Sequence, residues 1–197
     1  MKKYLLITTL FLTVTLFGQK TKFSIEANYP LPIDNNFVGE NYDGIIDLGV
    51  KYQIKELETV NLGVSVNSSY YTFEEEAFFP AFDEYLKFKT SLYVIQPRFF
   101  CELNLKNVPK LHPYAGIGYS LFISKTKFSN SESNPNDESN NQSGLNLDLG
   151  LNYDITNRLY LTVSYNYFKL LQLDEAVPKT GYNTNVNILK MGVGFRI

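Results

Sequence analysis

From Leu145 to Tyr153 the chain reads Leu-Asn-Leu-Asp-Leu-Gly-Leu-Asn-Tyr, apolar at every second position and polar or glycine between. A period of two is the mark of a β-strand, whose successive side chains point to opposite faces of a sheet. About eight such segments follow one another along the chain. The second face is what constrains the fold most. Asp47, Lys51, Arg98, Glu102, Asp148, Lys190 and Arg196 all fall on it in mid-strand, beside several glycines. A water-soluble barrel hides its apolar face inside and wets its exterior. A membrane-spanning barrel inverts this, with a greasy exterior and a polar lumen. The charges therefore predict the inverted kind.

Strand by strand, the expected outer faces are Phe23, Ile25, Ala27 and Tyr29, then Ile46 to Ile54 on even positions, then Val60 to Val66 on even positions. Ile95 to Leu103, Ala115 to Leu121, Leu145 to Tyr153, Leu159 to Tyr167 and Leu189 to Ile197 follow, all on odd positions. Two segments break phase. Leu92 and Val94 oppose the phase of Ile95 and Phe99, and Pro97 cannot donate to a ladder. Val186 and Ile188 oppose that of Leu189. A β-bulge in each of these strands is expected, because one extra residue resets the alternation.

The connectors alternate in length. Residues 55–58, 106–111 and 155–157 are short, whereas residues 31–42, 72–88, 127–143 and 171–184 are long. An up-and-down barrel of the bacterial outer membrane is strung this way, with tight periplasmic turns and longer outer loops. A chain entering from the periplasm meets an outer loop first, and the first connector is long. Composition agrees: 15 Tyr and 15 Phe without Trp suit strands and interfacial belts. A mean hydropathy of −0.17 excludes a helical membrane bundle, while alternating strands average to near neutral. A net charge of −2 gives no electrostatic case for nucleic acid as a partner. Cys101 is alone, so no internal disulfide forms. Lys2 and Lys3 precede an apolar run over residues 4–17, too short to span a bilayer as a helix. The expected division is a signal peptide at 1–18 and a barrel at 19–197.

The segment Pro113-Tyr114-Ala115-Gly116-Ile117-Gly118-Tyr119 and the terminal Gly192-Val193-Gly194-Phe195-Arg196-Ile197, together with the signal, resemble the porin-family outer-membrane β-barrel domain. The likeness is to the small eight-stranded barrels similar to OmpA and OmpX, and covers the whole mature chain. It implies an all-β, antiparallel, up-and-down barrel with a polar filled lumen, monomeric, in contact with outer-membrane lipid and handled by the barrel-assembly machinery. Members commonly end on an aromatic residue; here Ile197 is last and Phe195 lies two places in.

Three features could carry chemistry. The first is the lumen set, with Glu26, Asp47, Glu102 and Asp148 against Lys51, Arg98, Lys190 and Arg196, four of each sign. Balanced charge in a narrow lumen predicts a structural plug of ion pairs, since a desolvated charge needs a partner. The second is the segment around Phe78, Phe79 and Phe82 with Glu75 and Asp83, read as an outer loop of about fifteen residues and a candidate recognition loop for an extracellular protein or glycan. The third is His112, the lone histidine, expected as a solvated turn residue at the periplasmic end. Lipid-modifying barrels of similar fold use a histidine near the outer leaflet, so this position speaks against such an enzyme. The Ser/Asn-rich stretch 129–143 lacks the glycine and spacing of a calcium loop. No catalytic, metal or cofactor residue is expected. The chain reads as a non-enzymatic outer-membrane protein with a structural or surface-recognition role. Alternatives are a lipid-modifying enzyme and a soluble periplasmic ligand-binding barrel; the latter would need an apolar cavity that the inward charges oppose.

Overall fold

A computed structural model describes residues 22–79, 84–129, 138–173 and 177–197. Eight strands run in sequence order: β1 Phe23–Ile33, β2 Asp43–Glu56, β3 Val60–Phe79, β4 Glu84–Leu103, β5 Leu111–Ser129, β6 Glu138–Asp154, β7 Leu159–Gln172 and β8 Asn185–Arg196. Each pairs antiparallel with its neighbours, and β1 closes on β8. Following register partners once round the wall from Phe23 leads back to β1 at Ile33, a shear of ten residues. Eight strands with that stagger tilt by about 40° and leave an interior just wide enough for side chains.

The alternation becomes two surfaces. Leu149, Val163, Val193 and Phe99 stand 47, 48, 46 and 70% exposed, while Asp148, Ser164 and Arg98 are buried on the opposite face. The apolar exterior is banded by Phe23, Tyr52, Tyr153 and Phe195 toward the end that holds the termini. Toward the other end it is banded by Tyr29, Tyr70, Tyr93, Tyr119, Tyr165 and Tyr167, matching the aromatic girdles of a membrane barrel.

The two expected bulges are absent. From Val60↔Leu103 to Phe79↔Glu84 the β3–β4 register never shifts, and β4 holds one offset against β5 on both sides of Pro97. Pairing with β5 merely skips Gln96 and Pro97, so the missing proline donor interrupts a ladder without displacing a strand. β8 keeps constant register against both neighbours as well. Leu92, Val94, Val186 and Ile188 are out of phase with the lipid face because they point into the lumen, where all are 2% exposed or less. Register shifts lie elsewhere: between Gly44 and Ile46, between Gln53 and Lys55, and between Ser143 and Gly144. At the first, Ile45 and Ile46 both face outward, as a bulge requires.

The connectors at the termini end are short, as expected. At the far end the second differs from its expectation: β3 and β4, 20 residues each, run as a paired ladder up to Phe79 and Glu84. What reads as a fifteen-residue loop is mostly strand. With β5 it forms a projecting three-stranded blade. The first connector carries a one-turn helix, α1 (Phe37–Asn41), capped by the buried Asn36, whose Oδ1 accepts from the amides of Val38 and Gly39 at 3.1 and 2.9 Å. The last carries α2 (Gly181–Thr184), capped by Thr180. Tyr182 donates to Glu40 at 2.9 Å and ties the two connectors together.

Candidate functional site

The lumen is built in layers. Nearest the termini, three inward aromatic rings lie over glycines that are their register partners on an adjacent strand: Phe100 over Gly63, Tyr114 over Gly150 and Tyr160 over Gly194. A Cβ at Gly194 would sit 2.1 Å from the Tyr160 ring, so glycine is what lets each ring lie flat against the wall. Above these rings Lys51 pairs with Glu26 at 2.7 Å, and its Nζ lies 4.1 Å from the centre of the Tyr114 ring. Tyr160 donates to the same Glu26 carboxylate at 2.8 Å.

The next layer is a connected polar network around Asp47, which is fully buried. Its carboxylate accepts from Asn28 at 2.9 Å, Asn67 at 2.8 Å, Ser69 at 2.5 Å and the Lys190 ammonium at 2.7 Å. Lys190 also donates to Gln96 Oε1 at 3.0 Å, and Arg98 donates to that same oxygen at 2.5 Å. Arg98 then pairs with Asp148, whose other oxygen accepts from Asn166 at 3.0 Å. Seven of the eight strands, all but β5, contribute to this layer. Every charge in it has an opposite partner and further hydrogen bonds, the condition under which burying charge is tolerable.

Six of the eight ionisable residues singled out in the lumen are thus buried and joined as Glu26–Lys51, Asp47–Lys190 and Asp148–Arg98. Glu102 and Arg196 do not pair with each other. Glu102 accepts from Asn152 at 2.6 Å, and Arg196 pairs with Asp154 at 2.7 Å while lying over the Tyr160 ring. Asp154, at the end of β6, carries no lumen signal in the sequence, because it follows the last apolar residue of its strand and reads as turn. It also bonds His112 at 3.1 Å. His112 is therefore a half-buried strand residue at the foot of β5, not a solvated turn residue. Among the described residues no cluster of histidine, cysteine or carboxylate could hold a metal.

The upper lumen departs from the expected polar filling. Tyr71, Leu92, Val94, Phe122, Phe168, Leu170, Val186 and Ile188 form a closed apolar layer, and α1 drops Val38 into it. Phe122 and Phe168 meet edge to face, 5.3 Å between centres. This lid separates the charge layer from the mouth.

Beyond the lid stands the blade. Its outer face carries complementary rows: Glu74 and Glu76 on β3 pair with Lys89 and Lys87 on β4, and Lys89 faces Lys127 on β5. Its inner face carries a train of rings, Tyr42–Phe73 and Phe73–Phe88 at 5.8 Å and Phe88–Phe128 at 6.1 Å. Of the candidate recognition residues, Phe78 lies on β3 with its ring 5.2 Å from that of Tyr85, and Glu75 lies opposite Phe88. Phe79 ends β3; Phe82 and Asp83 lie outside the described residues. Complementary charges two apart, Glu74/Glu76 and Lys87/Lys89, were the available signal that this stretch is a hairpin.

Solved structures with this architecture are similar across almost their whole length. The attachment invasion locus protein Ail of Yersinia pestis, crystallised with the heparin analogue sucrose octasulfate, is 16% identical with a TM-score of 0.55, covering 89% of this chain and 96% of its own. Neisserial surface protein A is 14% identical with a TM-score of 0.57, covering 89% and 97%. The outer membrane protein OprG of Pseudomonas aeruginosa is 14% identical with a TM-score of 0.53, covering 91% and 98%. At such identities the likeness is one of fold. A search of curated protein sequences finds no relative. A model of the outer membrane protein β-barrel domain matches residues 5–196, nearly the full length, and the chain belongs to that family.

Proposed function

We propose that this outer-membrane barrel is a sealed, non-enzymatic scaffold that presents the blade to the cell exterior for recognition. On this reading residues 1–18 are a signal peptide, the termini end faces the periplasm, and the protein is a monomer. The observation that carries the proposal is the length of β3 and β4. A membrane strand needs about 9–11 residues, yet these have 20 each and continue for nine register pairs beyond the Tyr70↔Tyr93 pair. Sheet outside the bilayer has open backbone edges that proteins otherwise keep short. A long, charge-paired, aromatic-faced one is a surface built for contact. Ail, of similar fold, has been crystallised with a sulfated sugar analogue, which keeps an extracellular glycan beside a protein as partner class.

The test uses cells displaying the protein, compared with a variant in which Phe78, Phe79 and Phe82 are replaced by serine. Heat-modifiable gel migration, the sign of an intact barrel, should be unchanged, and retention of surface partners should be lost. Undiminished partner binding would overturn the reading. So would failure to fold, which would make the aromatics packing at the rim.

A further inference from the structure

Directly above the apolar lid lies a cavity of about 290 Å³. Its apolar surfaces are four rings, Phe37 and Tyr42 from the first connector, Phe73 from β3 and Phe122 from β5, with Leu92 from β4 the one aliphatic side chain among the described lining residues. Its polar surfaces are uncharged: Asn41, Thr90, Thr126 and Gln142. None of the described lining residues carries a formal charge, and burial raises the pKa of the Tyr42 hydroxyl so that it too stays neutral. The blade's Glu–Lys rows lie on its other face, by the alternation of β3 and β4. Among the described residues the Gln142 carboxamide oxygen has no donor, and the hydroxyls of Thr90 and Thr126 bond each other, 3.0 Å apart.

This combination selects a ligand class. A charged ligand would shed its hydration with no counter-charge to receive it. A purely apolar one would leave amide and hydroxyl groups unpaired. A ring with C–H faces and several hydroxyls satisfies both the aromatic walls and the polar groups, and the volume, at the low end for ligand pockets, suits one ring and not a long chain. We propose that the cup is a subsite for an uncharged sugar ring. It rests on the reading of the loop end as a recognition surface and names the chemistry recognised there.

The test is NMR on the full chain refolded into lipid nanodiscs, titrated to about 100 mM, well past a millimolar Kd, with methyl glucoside, methyl galactoside, methyl mannoside and N-acetylglucosamine. Sucrose octasulfate serves as the charged probe. At least one neutral probe should give saturable shifts centred on Thr90, Ser124 and Gln142. Phe73→Leu, which keeps apolar bulk but removes the ring, should weaken that probe at least tenfold while leaving the barrel spectrum intact. The proposal fails if no neutral probe saturates, if the sulfated sugar binds the cup as well or better, or if Phe73→Leu binds normally. Loss of surface partners in the serine variant alongside no sugar binding would sink this inference alone.

Discussion

The two halves of the lumen solve one problem in opposite ways. Near the termini and at mid-height the interior is ionic, and each of the buried charges Asp47, Arg98, Asp148 and Lys190 meets an opposite charge on another strand and an amide or hydroxyl besides. Toward the loop end the same strands turn Leu92, Val94, Phe168 and Ile188 inward, and the interior becomes an ordinary packed core. The polar half ties strands together through specific partners, so its geometry is unforgiving. The apolar half excludes water without directionality and closes the lumen below the mouth. A membrane barrel is thus not obliged to be polar inside; it is obliged only to satisfy what it buries.

Breaking the polar half should have the largest effect. Asp47→Ala removes the acceptor for four donors and leaves Lys190 without its carboxylate; a cost of about 3–5 kcal/mol is expected, read as the shift in reversible urea unfolding in lipid vesicles. Somewhat less should follow from Phe168→Ala, about 3 kcal/mol because the cavity it leaves borders a mouth that can relax. The two should separate in planar bilayers. Wild type and Asp47→Ala should show no stable large conductance, whereas paired removal of Phe122 and Phe168 should admit ions. Smallest of the three is Gly194→Ala, which pushes the Tyr160 ring off its seat and should cost about 1–3 kcal/mol by overpacking. An unaltered midpoint there would show that the ring moves freely.

The contrast also explains which parts of the fold the sequence disclosed. Where the lumen is polar, as at Asn146-Leu147-Asp148-Leu149, alternation identifies strand, face and register at once, because inside and outside differ in polarity. Where the lumen is apolar, both faces look alike, and Leu92, Val94, Val186 and Ile188 mimic a phase break. The true bulge at Ile45 leaves only two adjacent outward isoleucines as a trace. The blade was hidden for the converse reason: water bathes it, so Phe73 to Ala77 carries no clean apolar face and reads as loop. Six of the eight lumen charges could be placed from phase alone, but pairing depends on shear. No sequence pattern links Arg98 to Asp148 or assigns Asp154 to Arg196.

The β4 wall runs unbroken past Pro97, with Leu92 and Val94 turned into the lumen and Tyr93 and Ile95 turned outward. A cysteine scan over residues 91–99, in a Cys101→Ser background and in lipid bilayers, tests it most directly through nitroxide labels probed by oxygen and by a water-soluble nickel chelate. Oxygen-accessibility maxima are expected at Tyr93, Ile95, Pro97 and Phe99, with Leu92, Val94, Gln96 and Arg98 shielded from lipid, in one uninterrupted period of two. Maxima at Leu92 and Val94, with the phase reversing before Phe99, would contradict it and restore the bulge.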